Sequence, residues 1–224
     1  MDRSPPTLTQ RICSVKTLGF LGAGRLAQML APKAAKAGWR VILSNSRGPD
    51  TLKALVDGID GDVVAATPAD MLAQADIVLL AIRWPQLAAA TDGLSWQGRI
   101  VIDATNNRLG PTPADVIDIG DALSSDIVAD HVPGARLVKA FNHEPIFLFD
   151  KALPPQDDAK VLFLAGSDAE ANAAVAALIR DLGAEPVDLG PIDRGGKQIA
   201  MGGPLTNKMK LFTIEEAASA KTPA

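Results

Sequence analysis

A run of small residues near the start of the chain carries the clearest chemistry. The apolar stretch Thr17–Leu21 leads directly into Gly22-Ala23-Gly24-Arg25-Leu26-Ala27. The G-x-G-x-x-A spacing suits a pyrophosphate: Gly22 permits a tight strand-to-helix turn, Gly24 lets the backbone approach the phosphates, and Ala27 is small enough for the helix to pack closely on the strand. The helix that begins there offers free N–H groups and the positive end of its dipole. An apolar strand before the motif and an amphipathic helix after it give the context in which it predicts a dinucleotide site, with Gly22, Ala23, Gly24, Arg25 and Leu26 as its candidate residues.

Which dinucleotide is bound depends on the end of the second strand. NAD sites place an acid there, about 20 residues beyond the glycines, to bond the ribose 2′-hydroxyl. This chain has Ser44-Asn45-Ser46-Arg47 and no acid before Asp50. A carboxylate would repel a 2′-phosphate, whereas successive hydroxyl, amide and guanidinium donors cradle one, so Asn45, Ser46 and Arg47 favour NADP(H).

Ligands of such sheets bind outside the carboxyl ends of the strands. That rule selects Ile82-Arg83-Trp84-Pro85, Asp103-Ala104-Thr105-Asn106-Asn107 and Ala140-Phe141-Asn142-His143-Glu144-Pro145. Each stretch offers apolar walls for a nicotinamide and amide or backbone bonds to its carboxamide and ribose, with Ile82, Arg83, Trp84, Thr105, Asn106 and Ala140 as candidates; Trp84 fits helix-start packing as well, and Asn106 a turn. His143 is the one group in these loops that titrates near neutral pH, which makes it the candidate general acid. The other histidine, His131, falls in a polar helix–turn region and is expected to be exposed and idle.

Positioning these residues requires alternating strands and helices. Candidate strands are Thr17–Leu21, Arg40–Leu43, Val63–Ala66, Asp76–Ile82, Arg99–Asp103, Arg136–Phe141, Lys160–Ala165 and Glu185–Asp188. Several are continuously apolar, as strands buried on both faces of a parallel sheet are. Leu26, Met29, Leu30, Ala34 and Ala37 form one helical stripe, interrupted by Pro32 and closed by Gly38. Ser167-Asp-Ala-Glu170 reads as a capping box opening a second helix that stops at Gly183. The segment Pro204–Ala218 is expected to be a terminal helix. The pattern is a doubly wound, mostly parallel α/β sheet in a single compact domain over residues 15–218, between a disordered tail (1–14) and a frayed C-terminus (219–224).

Composition bounds the rest. The 224 residues carry 22 Lys and Arg against 26 Asp and Glu, a net charge of −4 spread along the chain, so nothing recommends a nucleic-acid partner. The longest strongly apolar run, Ile77–Ile82, is too short to span a bilayer, and the N-terminus does not read as a secretory signal, so a cytoplasmic setting without membrane contact is expected. A lone Cys13, no Tyr and two His exclude a disulfide framework within the chain, a Tyr–Lys reductase pair and a His-rich metal site. No metal is expected.

The ordered series GFLGAGRLA, SNSR, DIVLLAIRW, IVIDATNN, LVKAFNH and VLFLAGSD…LGAEPVDLGPI with GGPL resembles the NADP-dependent deazaflavin-coenzyme reductase family. The cytosolic reductase domain of the transmembrane metalloreductases is similar too. The resemblance covers about residues 16 to 206. It implies a Rossmann-type domain, a homodimer, and NADPH at the carboxyl edge, with Gly22, Arg25 and Leu26 at the pyrophosphate, Asn45, Ser46 and Arg47 at the 2′-phosphate, and Ile82, Trp84 and Ala140 near the nicotinamide. Arg83 stands where members often carry proline, and Asn107 where they carry proline after Asn. The leading expectation is hydride transfer between NADP(H) and a small-molecule acceptor, a deazaflavin or flavin coenzyme. Two alternatives remain: reduction of a small carbonyl or imine metabolite, which needs a proton donor and so His143, and a non-catalytic NADP-binding redox sensor.

Overall fold

The computed structural model describes residues 16–110, 112–144, 160–206 and 212–213. Its first six strands, β1 (Thr17–Leu21), β2 (Arg40–Ser44), β3 (Val63–Ala65), β4 (Ile77–Leu80), β5 (Ile100–Asp103) and β6 (Arg136–Ala140), lie in the order β3-β2-β1-β4-β5-β6 and are all parallel. That is the Rossmann order, in which direction along the sheet reverses between β1 and β4 and opens a crevice at their carboxyl ends. β7 (Lys160–Gly166) adds antiparallel to β6, and β8 (Glu185–Asp188) adds parallel to β7.

Helices cover both faces because the strands are apolar on both. Leu18, Phe20, Val41, Leu43 and Leu79 pack against α1 (Arg25–Lys36) and α6 (Ala169–Asp181), through Leu26, Leu30, Ala34, Val175 and Leu178. Residues one step out of phase, Leu21, Ile42, Val78 and Leu80, face the other way. They meet Met71 and Leu72 of α3 (Pro68–Gln74), Leu87 of α4 (Leu87–Thr91) and Val128 of α5 (Ser124–His131). Gly19 is needed in β1 because a Cβ there would collide with the Met71 sulfur, so its absence lets α3 lie close to the sheet. The remaining short helices are α2 (Lys53–Asp57) and α7 (Gly195–Ile199). Among the described residues no helix is long and apolar enough to cross a membrane.

Every expected strand forms, with ends shifted by at most a few residues, and α1 contains Pro32 and is followed by Gly38 at φ 85°. Two helix readings need correction. The N-cap of α6 is Asp168, not Ser167: its carboxylate accepts from the Ala171 amide at 2.9 Å and from both Nε and Nη2 of Arg136, at 2.9 and 2.6 Å. A charged acceptor outcompetes the neighbouring hydroxyl for that role. The expected terminal helix over Pro204–Ala218 is broken by β9 (Phe212–Thr213), which pairs antiparallel with Lys160 and Val161 of β7. β6 covers only Leu164–Gly166 of that edge, and β9 satisfies backbone groups that would otherwise be unpaired. The expected tails, 1–14 and 219–224, lie outside the described residues, as does most of that terminal segment.

Candidate cofactor and acceptor site

The crevice at the carboxyl edge is one cleft of about 1980 Å³. Its floor begins where β1 ends. Gly22 adopts φ 103° and donates its N–H to Ser44 O at 3.0 Å, which ties the turn to the end of β2. A Cβ at Gly22 would stand 2.5 Å from Ala81 O, so both the turn and the approach of β4 require glycine. Gly24 then N-caps α1 without any side-chain cap, and the first turn holds no acid. Such an end leaves amide N–H groups without intrahelical partners and a positive dipole end. Here they lie at a cleft lined by Gly22, Ala23, Gly24, Arg25 and Leu26. A dinucleotide pyrophosphate fits this cradle: a Cβ on Gly24 would meet no protein atom closer than Ala81 O at 3.7 Å, so the space beside it is open.

The adjacent rim is the loop after β2. Asn45 Oδ1 accepts from the Arg47 amide at 2.9 Å, an Asx turn, while Asn45 Nδ2 donates to Thr51 Oγ1 at 3.0 Å. Those bonds fix the loop backbone and leave the exposed side chains of Ser46 and Arg47 on the cleft with Asn45. Ser44 is different. It is fully buried, its hydroxyl donates to Phe20 O at 2.8 Å, and it cannot take part in a phosphate cradle. Asp50, the nearest acid in sequence, does not line the cleft.

Ile82, Arg83 and Trp84 after β4 also line the cleft, as do Thr67, the N-cap of α3, and Pro68 and Ala69 in its first turn. The Arg83 amide donates to Gln86 Oε1 at 3.2 Å, which holds the turn that presents Trp84. Thr105 and Asn106, after β5, complete the set. They are held from below by a buried ion pair that the sequence reading missed. Lys139 Nζ lies 2.8 Å from Asp103 Oδ2, with both side chains fully buried. Ser125 Oγ donates to the same oxygen at 2.8 Å. The amide and hydroxyl of Thr105 donate to Asp103 Oδ1 at 2.9 and 2.6 Å. Because an uncompensated buried charge is strongly unfavourable, this network fixes the backbone where β5 delivers Asn106. Asn106 in turn donates to Asn142 O at 2.8 Å, and Asn142 Nδ2 donates to Ile199 O at 2.6 Å, which joins the loops after β5 and β6 to α7.

Two predicted site residues do not reach the cleft. Ala140 is fully buried in β6, packed in the core between sheet and helices. His143 is also fully buried, although its neighbours Asn142 and Glu144 do line the cleft. Its ring meets Phe163 edge-on, with centroids 5.5 Å apart, and among the described residues neither ring nitrogen has a hydrogen-bond partner. Burial, helped by the nearby Lys139 charge, lowers its pKa to about 3. A neutral imidazole sealed in the core is not a general acid at pH 7. His131 ends α5 half-buried rather than exposed. Conversely, Arg108, Leu109, Val116, Glu144 and Met201 line the cleft and carried no assigned role.

Comparison with known proteins agrees with this geometry. Residues 17–107 match the family model described as NADP oxidoreductase, coenzyme F420-dependent. Mouse (Mus musculus) metalloreductase STEAP2 is 26% identical over 200 residues, 88% of this chain and 37% of that protein. The chain thus spans about a third of the length of such curated relatives. A structure of hypothetical protein SMa0349 from Sinorhizobium meliloti is 36% identical, with a TM-score of 0.80 over 92% of this chain and 98% of that one. An Arthrobacter sp. FB24 protein, named provisionally as an F420-dependent NADP reductase, shares the fold at 23% identity and a TM-score of 0.65, over 87% of this chain and 98% of that one. With its phosphate cradle, its acid-free β2 loop and these relatives, the chain belongs to the NADP oxidoreductase, coenzyme F420-dependent, family.

Proposed function

We propose that the protein transfers a hydride between NADP(H) and a deazaflavin or flavin coenzyme, acting as a homodimer in the cytoplasm. The observation that carries the reading is the single cleft of about 1980 Å³, well beyond the roughly 300–1,000 Å³ of ordinary ligand pockets. A volume of that size supports a dinucleotide with a second, ring-sized ligand beside it. NADPH, when bound, supplies the hydride. The chain's own residues do the remaining work. The Gly22–Leu26 turn and α1 hold the pyrophosphate, while Asn45, Ser46 and Arg47 hold the 2′-phosphate. Ile82 and Trp84 exclude water, and the buried Asp103–Lys139 network keeps Asn106 in place. Positioning of this kind supplies about 7–11 kcal/mol of barrier reduction without acid–base groups. Reduction of a small carbonyl or imine loses support, since its expected donor, His143, is out of the cleft.

Absorbance loss from NADPH, followed against a panel of deazaflavin coenzyme, flavin mononucleotide, ferric chelates and small ketones, tests the reading. Turnover with the ring coenzymes supports it. Turnover with ketones alone sinks it, and tight NADPH binding without any turnover favours the sensor. NADPH is expected to bind at least about tenfold more tightly than NADH, because a 2′-phosphate gains charge-assisted bonds at Arg47. Arg47→Asp should invert that preference; equal dissociation constants in wild-type calorimetry would remove the basis for it.

A further inference from the structure

We infer that the paired segments 107–110 and 112–117 form an acceptor subsite in which Arg108 binds an oxyanion carried by the acceptor, while Leu109 and Val116 support its ring; this rests on the two-ligand reading above. Hydrogen bonds tie the two described segments into a platform. Asn107 Nδ2 donates to Ile117 O at 2.7 Å, the Ile117 amide returns a bond to Asn107 O at 2.8 Å, and the Leu109 amide donates to Asp115 O at 2.8 Å. Arg108 and Val116 form a bridge between those bonds. The platform carries Leu109 and Val116, exposed by 60% and 39%, and both line the cleft. Large apolar side chains left open beside a cofactor cleft suit a flat apolar ring.

Arg108, bridged to Val116, is half-buried and also lines the cleft. Its Nε donates to Gly110 O, which fixes the guanidinium plane, and no described carboxylate lies within ion-pair distance of its terminal nitrogens. The nearest acid on the loop, Asp115, has Oδ2 occupied by the amide and hydroxyl of Thr112 at 2.7 and 2.6 Å. Arg108 is near enough to help those Thr112 bonds lower the Asp115 carboxyl's pKa but is not ion-paired with it, so a guanidinium fork oriented by the backbone keeps its terminal nitrogens for a phosphate or carboxylate. Charge distribution points the same way. The whole chain carries −4, yet the cleft is lined by four arginines, Arg25, Arg47, Arg83 and Arg108, against Asp92 and Glu144. Arg25 and Arg47 serve the dinucleotide phosphates, and Arg108 stands beyond them.

The test compares ligands that share a ring and differ in charge. Dissociation constants for flavin mononucleotide and riboflavin are measured by fluorescence quenching on NADP⁺-saturated protein. The wild type should prefer the phosphorylated ligand by at least about tenfold, one charge-assisted bond. Arg108→Met should remove that preference while riboflavin and NADP⁺ affinities stay within about threefold, and Arg108→Lys should keep part of it. An N10-carboxymethyl flavin compared with lumiflavin separates the sources: equal preference assigns any oxyanion, preference confined to the mononucleotide assigns phosphate. A wild-type ratio near one, or Arg108→Met weakening both ligands equally, overturns the subsite. NADPH turnover of these acceptors with an unchanged ratio in Arg108→Met would remove the subsite and leave the proposed function standing. A charge preference without turnover would do the reverse.

Discussion

Gly24→Val is expected to fold normally and to lose NADPH affinity by at least about 100-fold, which is about 2.7 kcal/mol. The fold itself places little demand on glycine at this position. Its φ of −78° and ψ of −169° are open to any residue, and the nearest protein atom to an added Cβ is Ala81 O at 3.7 Å. Valine's two further methyl groups would project into the cleft, over the uncapped first turn of α1, where a pyrophosphate must lie. Gly22 makes the contrast. There a Cβ meets Ala81 O at 2.5 Å at a φ of 103°, so Gly22→Ala damages folding and binding together. Thermal denaturation and NADPH titration of both variants separate the cases. A Gly24→Val protein with wild-type melting and wild-type NADPH affinity would show that the motif is only a turn.

Much of this site was legible because local rules coincide with global ones at the start of the chain. The glycine spacing requires a turn, the turn opens a helix, and the uncapped helix end lies on the cleft, all within residues 17–36. That Asn45, Ser46 and Arg47 stand on the rim of the cleft was legible for the same reason, at a fixed step beyond the motif. Ser44, one residue earlier, is still in β2, where its hydroxyl is consumed by Phe20 O. Ala140 and His143 were misread because β6 is buried on both faces and gives no alternation to follow. The chain then leaves the strand through Phe141 at φ 63°, a left-handed conformation unusual for a bulky residue, which resets the side to which Asn142, His143 and Glu144 point. The Asp103–Lys139 pair was hidden because a lysine within LVKAF looks like any strand-end charge, and only the pairing of β5 with β6 brings its amine to a buried carboxylate. β9 depends on a gap along β7 that no local pattern announces.

The fold is expected to be acid-labile because of His143, and His143→Leu is expected to relieve that lability with less than about a tenfold change in kcat. In the unfolded chain the imidazole titrates near 6.5, whereas desolvation, and then the Lys139 charge, lowers its pKa to about 3 in the fold. A group whose folded-state pKa lies below its unfolded value destabilises the fold as pH falls, since the unfolded chain takes up the proton first. Above about pH 6.5 both states are neutral and nothing is lost. The loss grows to about 2 kcal/mol at pH 5 and on the order of 4–5 kcal/mol by pH 3. Asp168, held at about 2 by Arg136, stays ionised through the upper part of that window. Denaturant melts of wild type and His143→Leu at pH 7.5, 6.0 and 5.0 should therefore diverge by about 2 kcal/mol in their pH dependence. Leucine gives up no hydrogen bond, because neither ring nitrogen has one among the described residues. Parallel pH profiles for the two proteins would place the imidazole in water rather than in the core. A hundredfold fall in kcat at unchanged NADPH affinity would return it to the reaction as a general acid, against a geometry in which it is fully buried behind the cleft wall.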